Sequence, residues 1–266
     1  MPLSATILGA GRPVVLLPGF ALDSSVMTLA CEPAFADPAT AAGGERWQRI
    51  YLDLPGTGGS PAGEPTSEAV LSAVQDTLGD LIGDTPYLIV GHSYGGYLAA
   101  GLARRNSAQA AGLFLVCIGA KISPDDRDLS GVLPSTPEPG WLEGVPEPLR
   151  EHVSHAVGQQ TRAAADRVAA ALGRRGPLDE EYLDALRPAG YRLRDESAAE
   201  QCFPGPVALL TGRRDRIAGY RDALASLSRY PHGNFTALAD AGHYLPFEQP
   251  ETFVTSLRSW LASCAT

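Results

Sequence analysis

A serine, a carboxylate and an imidazole follow one another along this chain as Ser93, Asp215 and His243. These are the residue types that nucleophilic acyl transfer requires. A serine hydroxyl is a weak nucleophile at neutral pH. A neutral imidazole can take its proton during attack and return it to the leaving group. A carboxylate on the second imidazole nitrogen fixes the tautomer and stabilises the imidazolium. The oxyanion that forms on a substrate carbonyl needs preformed donors, each worth about 3–4 kcal/mol. Two backbone N–H groups are placed to serve, that of Tyr94 directly after the serine and that of Phe20 in the loop Pro18-Gly19-Phe20.

The elements around these residues decide whether they can meet. Gly91-His92-Ser93-Tyr94-Gly95 follows the apolar run Tyr87-Leu88-Ile89-Val90 and precedes the helix-forming run Gly96-Tyr97-Leu98-Ala99-Ala100-Gly101-Leu102-Ala103. A G-x-S-x-G string alone is weak, since at this glycine density it arises by chance in roughly one such chain in five. The strand–turn–helix setting makes it a nucleophile elbow, with the serine on a strained turn and glycines where strand and helix cross. The helix start after it supplies unpaired N–H groups for an oxyanion. Downstream, Val207-Ala208-Leu209-Leu210-Thr211 reads as a buried strand leading to Asp215, and Phe235-Thr236-Ala237-Leu238 as a strand leading to His243. Each member lies just past a strand end, and in a parallel sheet those ends share one edge. Asp240, Asp125 and Asp126 are rival acids. Asp215 is preferred, with Asp240 read as a turn residue.

Several stretches together resemble the α/β-hydrolase fold superfamily, in its cap-bearing esterase and C–C-bond-hydrolase-like branch. They are Leu17-Pro18-Gly19-Phe20, Asp53-Leu54-Pro55-Gly56-Thr57-Gly58-Gly59-Ser60, the elbow, Gly212-Arg213-Arg214-Asp215, and Ala241-Gly242-His243 with Phe247-Glu248-Gln249-Pro250. Pro18 stands where that family usually has histidine. His92 stands where C–C-bond hydrolases often carry asparagine, and their Ser/Gly-rich oxyanion loop is missing. The resemblance implies an α/β fold, a mostly parallel central sheet flanked by helices, with a helical cap inserted after the sixth strand.

The chain pattern agrees with that architecture. Strands are expected near residues 3–8, 13–17, 48–52, 86–90 and 112–117, and helices near 24–35, 67–83 and 95–106, with a small-residue loop over Asp37–Glu45. Continuous apolar strands fit a sheet covered on both faces. Residues 121–200 hold no strong strand but a proline cluster, then helical runs at Leu149–Val157, Gln160–Leu172 and Leu178–Leu186. The expected division is a core of 1–120 and 201–266, with 121–200 as a cap that excludes water and shapes the pocket. Phe20, Tyr94 and Trp141 are candidate pocket walls.

Composition narrows the partners. A net charge of −9 over 266 residues, with no basic cluster, disfavours nucleic acid and anionic membranes. No run approaches a transmembrane length, and the first residues lack a signal-peptide pattern, so a cytoplasmic location is expected. The widely spaced Cys31, Cys117, Cys202 and Cys264 suggest neither a zinc site nor a disulfide framework. His152 and His155, one helical turn apart, are only half a metal site, so no metal and no cofactor are expected. His92 is expected to turn away from the site, and Arg213 and Arg214 to face solvent.

Three functions stay open. The favoured one is a cofactor-independent serine hydrolase of a small-molecule carboxylic ester, lactone or thioester. The second is a C–C-bond hydrolase, lyase or cyclase using the same residues. The third is a non-enzymatic small-ligand receptor. The oligomeric state is open.

Overall fold

The computed structural model describes residues 2–36, 47–189, 191–196 and 202–265. The expected loop Asp37–Glu45 lies outside the described residues. Among the described residues, seven strands form one sheet: β1 Ala5–Leu8, β2 Arg12–Leu17, β3 Trp47–Leu52, β4 Tyr87–His92, β5 Ala110–Val116, β6 Val207–Gly212 and β7 Gly233–Leu238. The spatial order is β1-β3-β2-β4-β5-β6-β7. Only β1 is antiparallel to its neighbour; all other pairs are parallel.

The central strands are apolar on both faces because both are covered. Val14 and Leu16 of β2 join one apolar cluster, and Val15 and Leu17 join the other. The same split divides Leu88 and Val90 from Tyr87 and Ile89 in β4, as the two-residue strand period requires. Helices α1 Ser24–Phe35 and α9 Pro250–Ser263 bury residues in the first cluster. Helices α2 Ser67–Ile82 and α3 Tyr94–Arg105 bury theirs in the second.

The chain runs outward from β2 to β3, then returns to place β4 on the other side of β2. Between β2 and β4 the winding direction reverses, which opens a crevice at the carboxyl ends of the strands. The loops after β2 and β4 carry Phe20 and Ser93 to that crevice. The short α7 Arg221–Ser226 follows the Asp215 loop, and α8 Leu245–Glu248 follows His243.

Between β5 and β6 lie a 3-10 turn at Pro124–Asp126 and three helices, α4 Glu147–Ala156, α5 Arg162–Leu172 and α6 Glu180–Ala189. This insert follows the fifth strand in chain order, not the sixth as expected. The five strands before it are those expected near residues 3–8, 13–17, 48–52, 86–90 and 112–117, and the insert leaves the last of them, β5, directly. The insert is tied to the loop after β3 by the Thr57–Leu178 bridge and by Gly58 N–H donating to Pro177 O at 2.9 Å. Among the described residues, no helix is long and apolar enough to cross a membrane.

Candidate active site

Ser93 caps α3 with φ +52° and ψ −114°, a left-handed conformation that costs a non-glycine residue of order 1–3 kcal/mol. Neighbouring contacts hold it there. Its N–H donates to Val116 O at 2.9 Å, and its carbonyl accepts from Tyr97 N–H at 3.1 Å. The flanking glycines are required by close backbone approach. A Cβ on Gly91 would lie 2.6 Å from Gly95 O, and one on Gly95 would lie 2.2 Å from Leu17 O and 2.4 Å from Pro18 O. The first turn of α3 is thereby pressed against the loop that carries Phe20.

The three side chains form one hydrogen-bonded series. His243 Nε2 lies 2.9 Å from Ser93 Oγ, and His243 Nδ1 lies 2.9 Å from Asp215 Oδ2. Asp215 is fully buried. Burial opposes its charge, but the facing His243 and the N–H groups of Ala218 and Ile217 hold its carboxyl below the ordinary range. Those two amides donate to Asp215 Oδ1 at 2.9 and 2.8 Å. With Asp215 ionised, Nδ1 of His243 carries the proton and Nε2 is free to accept one from Ser93.

The loop bearing His243 is held by a buried carboxylate. Glu248 Oε2 accepts the N–H groups of Gly158 (2.8 Å), Gln159 (2.7 Å) and Gly242 (2.8 Å), and Oε1 accepts Tyr244 N–H (3.1 Å). Burial pushes the Glu248 carboxyl up from its usual value while these donors pull it down. His243 N–H itself donates to Ala156 O at 2.9 Å, at the end of α4. The insert therefore meets the sheet at the histidine.

Above Ser93 is a cavity of about 240 Å³. Its walls include Phe20, Ile122, His152, Tyr191, Ile217 and Tyr244, with His92, Ser93 and His243 at its base. Neither the Phe20 nor the Tyr94 N–H donates to a described residue. The arrangement can deprotonate Ser93 and present it to a carbonyl in the cavity.

A family model described as the alpha/beta hydrolase family matches residues 14–256. The chain belongs to that family. Among solved structures, it is similar to an alpha/beta superfamily hydrolase from Oenococcus oeni PSU-1, with 26% identity over 99% of this chain and 97% of that one, at a TM-score of 0.85. A thermophilic esterase from Thermogutta terrifontis shares the fold at 23% identity over 99% and 94% of the two chains, with a TM-score of 0.73. A meta-cleavage product hydrolase from Pseudomonas fluorescens IP01 does so at 17% identity over 97% and 94%, with a TM-score of 0.70. Among curated proteins, no sequence relative matches.

In this alpha/beta hydrolase, not every expected residue reaches the cavity. Phe20 does. The Tyr94 ring does not line it; the ring is buried against Tyr97 and Tyr191, with its hydroxyl 2.8 Å from Ser67 Oγ. Trp141 packs into the apolar cluster that α4 and α5 join, away from Ser93. The rival acids are elsewhere. Asp240 is exposed and pairs with Arg214 at 2.7 Å, while Asp126 pairs with Arg192. Arg213 lies over the Tyr220 ring.

His92 does not turn away. It continues the Leu88–Val90 face of β4, which at the strand end opens onto the His243 loop. Its Nε2 lies 2.9 Å from His243 O, so the ring is the Nε2–H tautomer. Burial, with the neighbouring His243, lowers its pKa to about 4. His152 is not merely on a solvated face: its Nε2 is 2.7 Å from Tyr244 Oη, and its ring reaches the cavity. Cys117 follows β5 at φ +43°, with its Sγ within 4.8 Å of the ligand atoms of Asp215 and His243. Burial raises its thiol pKa well above the ordinary value, which disfavours the thiolate a metal would need.

In the sequence Glu248 stands out only as part of Phe247-Glu248-Gln249-Pro250, with no role attached, and Arg127 and Arg187 do not stand out at all. An acid in the apolar run Tyr244-Leu245-Pro246-Phe247 was the available signal for Glu248. No local signal marks the two arginines.

Proposed function

We propose that this chain is a cofactor-independent serine hydrolase that cleaves a small carboxylic ester, lactone or thioester through an acyl-Ser93 intermediate. The observation that carries the reading is the continuous series Ser93–His243–Asp215 at the floor of a cavity. Ser93 Oγ attacks the carbonyl carbon as His243 Nε2 takes its proton. The negative charge moves to the carbonyl oxygen, which the Phe20 and Tyr94 N–H groups receive. Asp215 stabilises the imidazolium. The carbon–heteroatom bond then breaks, and His243 returns the proton to the leaving alcohol or thiol. In the second half, His243 Nε2 takes a proton from water as its oxygen bonds to the acyl carbon; the bond from that carbon to Ser93 Oγ then breaks, His243 returns the proton to Ser93 Oγ, and the acid departs. The insert, residues 121–200, acts as a cap on the core of 1–120 and 201–266 and limits water entry.

Fluorophosphonate labelling with peptide mass spectrometry tests this reading. The adduct is expected on Ser93 and is expected to vanish in His243→Ala and Ser93→Ala. Folded wild-type protein that takes no label and hydrolyses no ester would remove the mechanism.

A further inference from the structure

The cavity over Ser93 has a charge pattern opposite to that of the chain. The sequence holds 30 Asp and Glu against 21 Lys and Arg. Yet the residues lining the cavity include Arg127 and Arg187 and, among the described residues, no Asp or Glu. Four arginines elsewhere, Arg49, Arg105, Arg162 and Arg214, each pair with a carboxylate, whereas Arg167, Arg175 and Arg216, like Arg127, donate only to backbone carbonyls.

Arg187, on α6, stands with its guanidinium carbon 4.4 Å from the centre of the Phe20 ring. It makes no ion pair or hydrogen bond with a described residue. The ring orients the guanidinium without consuming its donors. Arg127 is oriented differently. Its Nε donates to Lys121 O (3.1 Å), Nη1 to Ile217 O (2.9 Å) and Nη2 to Ile122 O (2.5 Å). Carbonyls fix the group in place but leave its charge uncancelled. Burial raises the pKa of the Tyr191 phenol, while the nearby charges of Arg127 and Arg187 act to lower it.

Two cations at a cavity with apolar walls, Arg127 held by three carbonyls and the exposed Arg187 resting on the Phe20 ring, attract one small anion. A carboxylate matches the planar guanidinium donors. A cavity of about 240 Å³ is below the usual 300–1,000 Å³ of drug-sized sites, so the molecule is short. We propose that Arg187 and Arg127 form a carboxylate subsite, and that the substrate is a small ester bearing a carboxylate away from its scissile carbonyl. The proposal rests on the serine-hydrolase reading for the ester but not for the anion.

Paired probes test it. Hydrolysis of mono-4-nitrophenyl glutarate is compared with 4-nitrophenyl pentanoate, and hydrolysis of 4-acetoxybenzoate with phenyl acetate. In at least one pair the carboxylated ester is expected to have the higher kcat/KM, by about tenfold or more, as charge-assisted hydrogen bonds allow. That ratio should collapse at least tenfold in Arg187→Gln and fall with added salt. Arg150→Gln, an equal charge change on the exposed face of α4, should leave the ratio unchanged. No preference in either pair, or a preference that survives Arg187→Gln, would overturn the subsite. If no ester were cleaved at all, the hydrolase reading would fail first. Calorimetric binding of glutarate, lost in Arg187→Gln, would then decide the anion site alone, and absence of glutarate binding would refute it.

Discussion

Removing the Glu248 carboxylate should loosen the histidine loop and the insert together. Glu248→Ala strips the acceptor from four N–H groups: Gly158 and Gln159 in the insert, and Gly242 and Tyr244 on either side of His243. At about 1 kcal/mol net per bond, the gross loss is about 4 kcal/mol. Burying the carboxylate opposes this, since Glu248 is only 2% exposed, so about 3 kcal/mol is the expected net effect. At about 2–4 °C per kcal/mol for a chain of this size, the melting temperature should fall by about 6–12 °C. Glu248→Gln keeps one carbonyl oxygen for three of the donors and turns an amide toward Tyr244 N–H, so it should cost about 1–2 kcal/mol. Because His243 lies between two of the released amides, kcat in Glu248→Ala should fall by about 10²-fold. KM should change less, since Glu248 does not line the cavity. Circular-dichroism melts and steady-state hydrolysis of a neutral 4-nitrophenyl ester read both effects. A melting temperature within about 2 °C of the parent, or a Gln variant as damaged as the Ala variant, would refute the reasoning.

Three further perturbations check the site and its packing. His92 has a folded pKa near 4 against an ordinary value near 6.5, so below pH 6.5 the unfolded chain binds a proton that the folded one does not. Stability should therefore fall with pH between about 6.5 and 4, by up to about 1.4 kcal/mol per pH unit. Urea midpoints of wild type and His92→Asn should diverge over that window, and parallel curves would contradict the assignment. Gly95→Ala places a Cβ 2.2 Å from Leu17 O, which is backbone and cannot swing aside, so a loss of about 3 kcal/mol and of Ser93 labelling is expected. Gly79→Ala in α2 meets nothing within 4 Å and should instead stabilise by up to about 1 kcal/mol; equal melting temperatures for the two variants would refute the packing account.

The elements that carry the site were legible in the sequence because their signals are local. Continuous apolar runs marked β2, β4 and β5. The Gly-x-Ser-x-Gly turn between a strand and a helix marked Ser93. The positions of Asp215 and His243 just after two later strands placed them at one edge of a parallel sheet. Local period and turn chemistry determine these features almost without reference to the rest of the chain. Which side chains face the cavity was a different matter. Tyr94 is adjacent to the nucleophile yet points into the core, while Arg187, far along the chain, stacks on Phe20. Glu248 acts by gathering amides from residues as distant in sequence as Gly158. Those outcomes depend on how the insert docks on the sheet, through long-range packing and buried hydrogen bonding that leave no periodic trace in the residues themselves. Local patterning sets the scaffold and the order of the reacting groups; the docking of the insert sets the charge and the walls of the space above them.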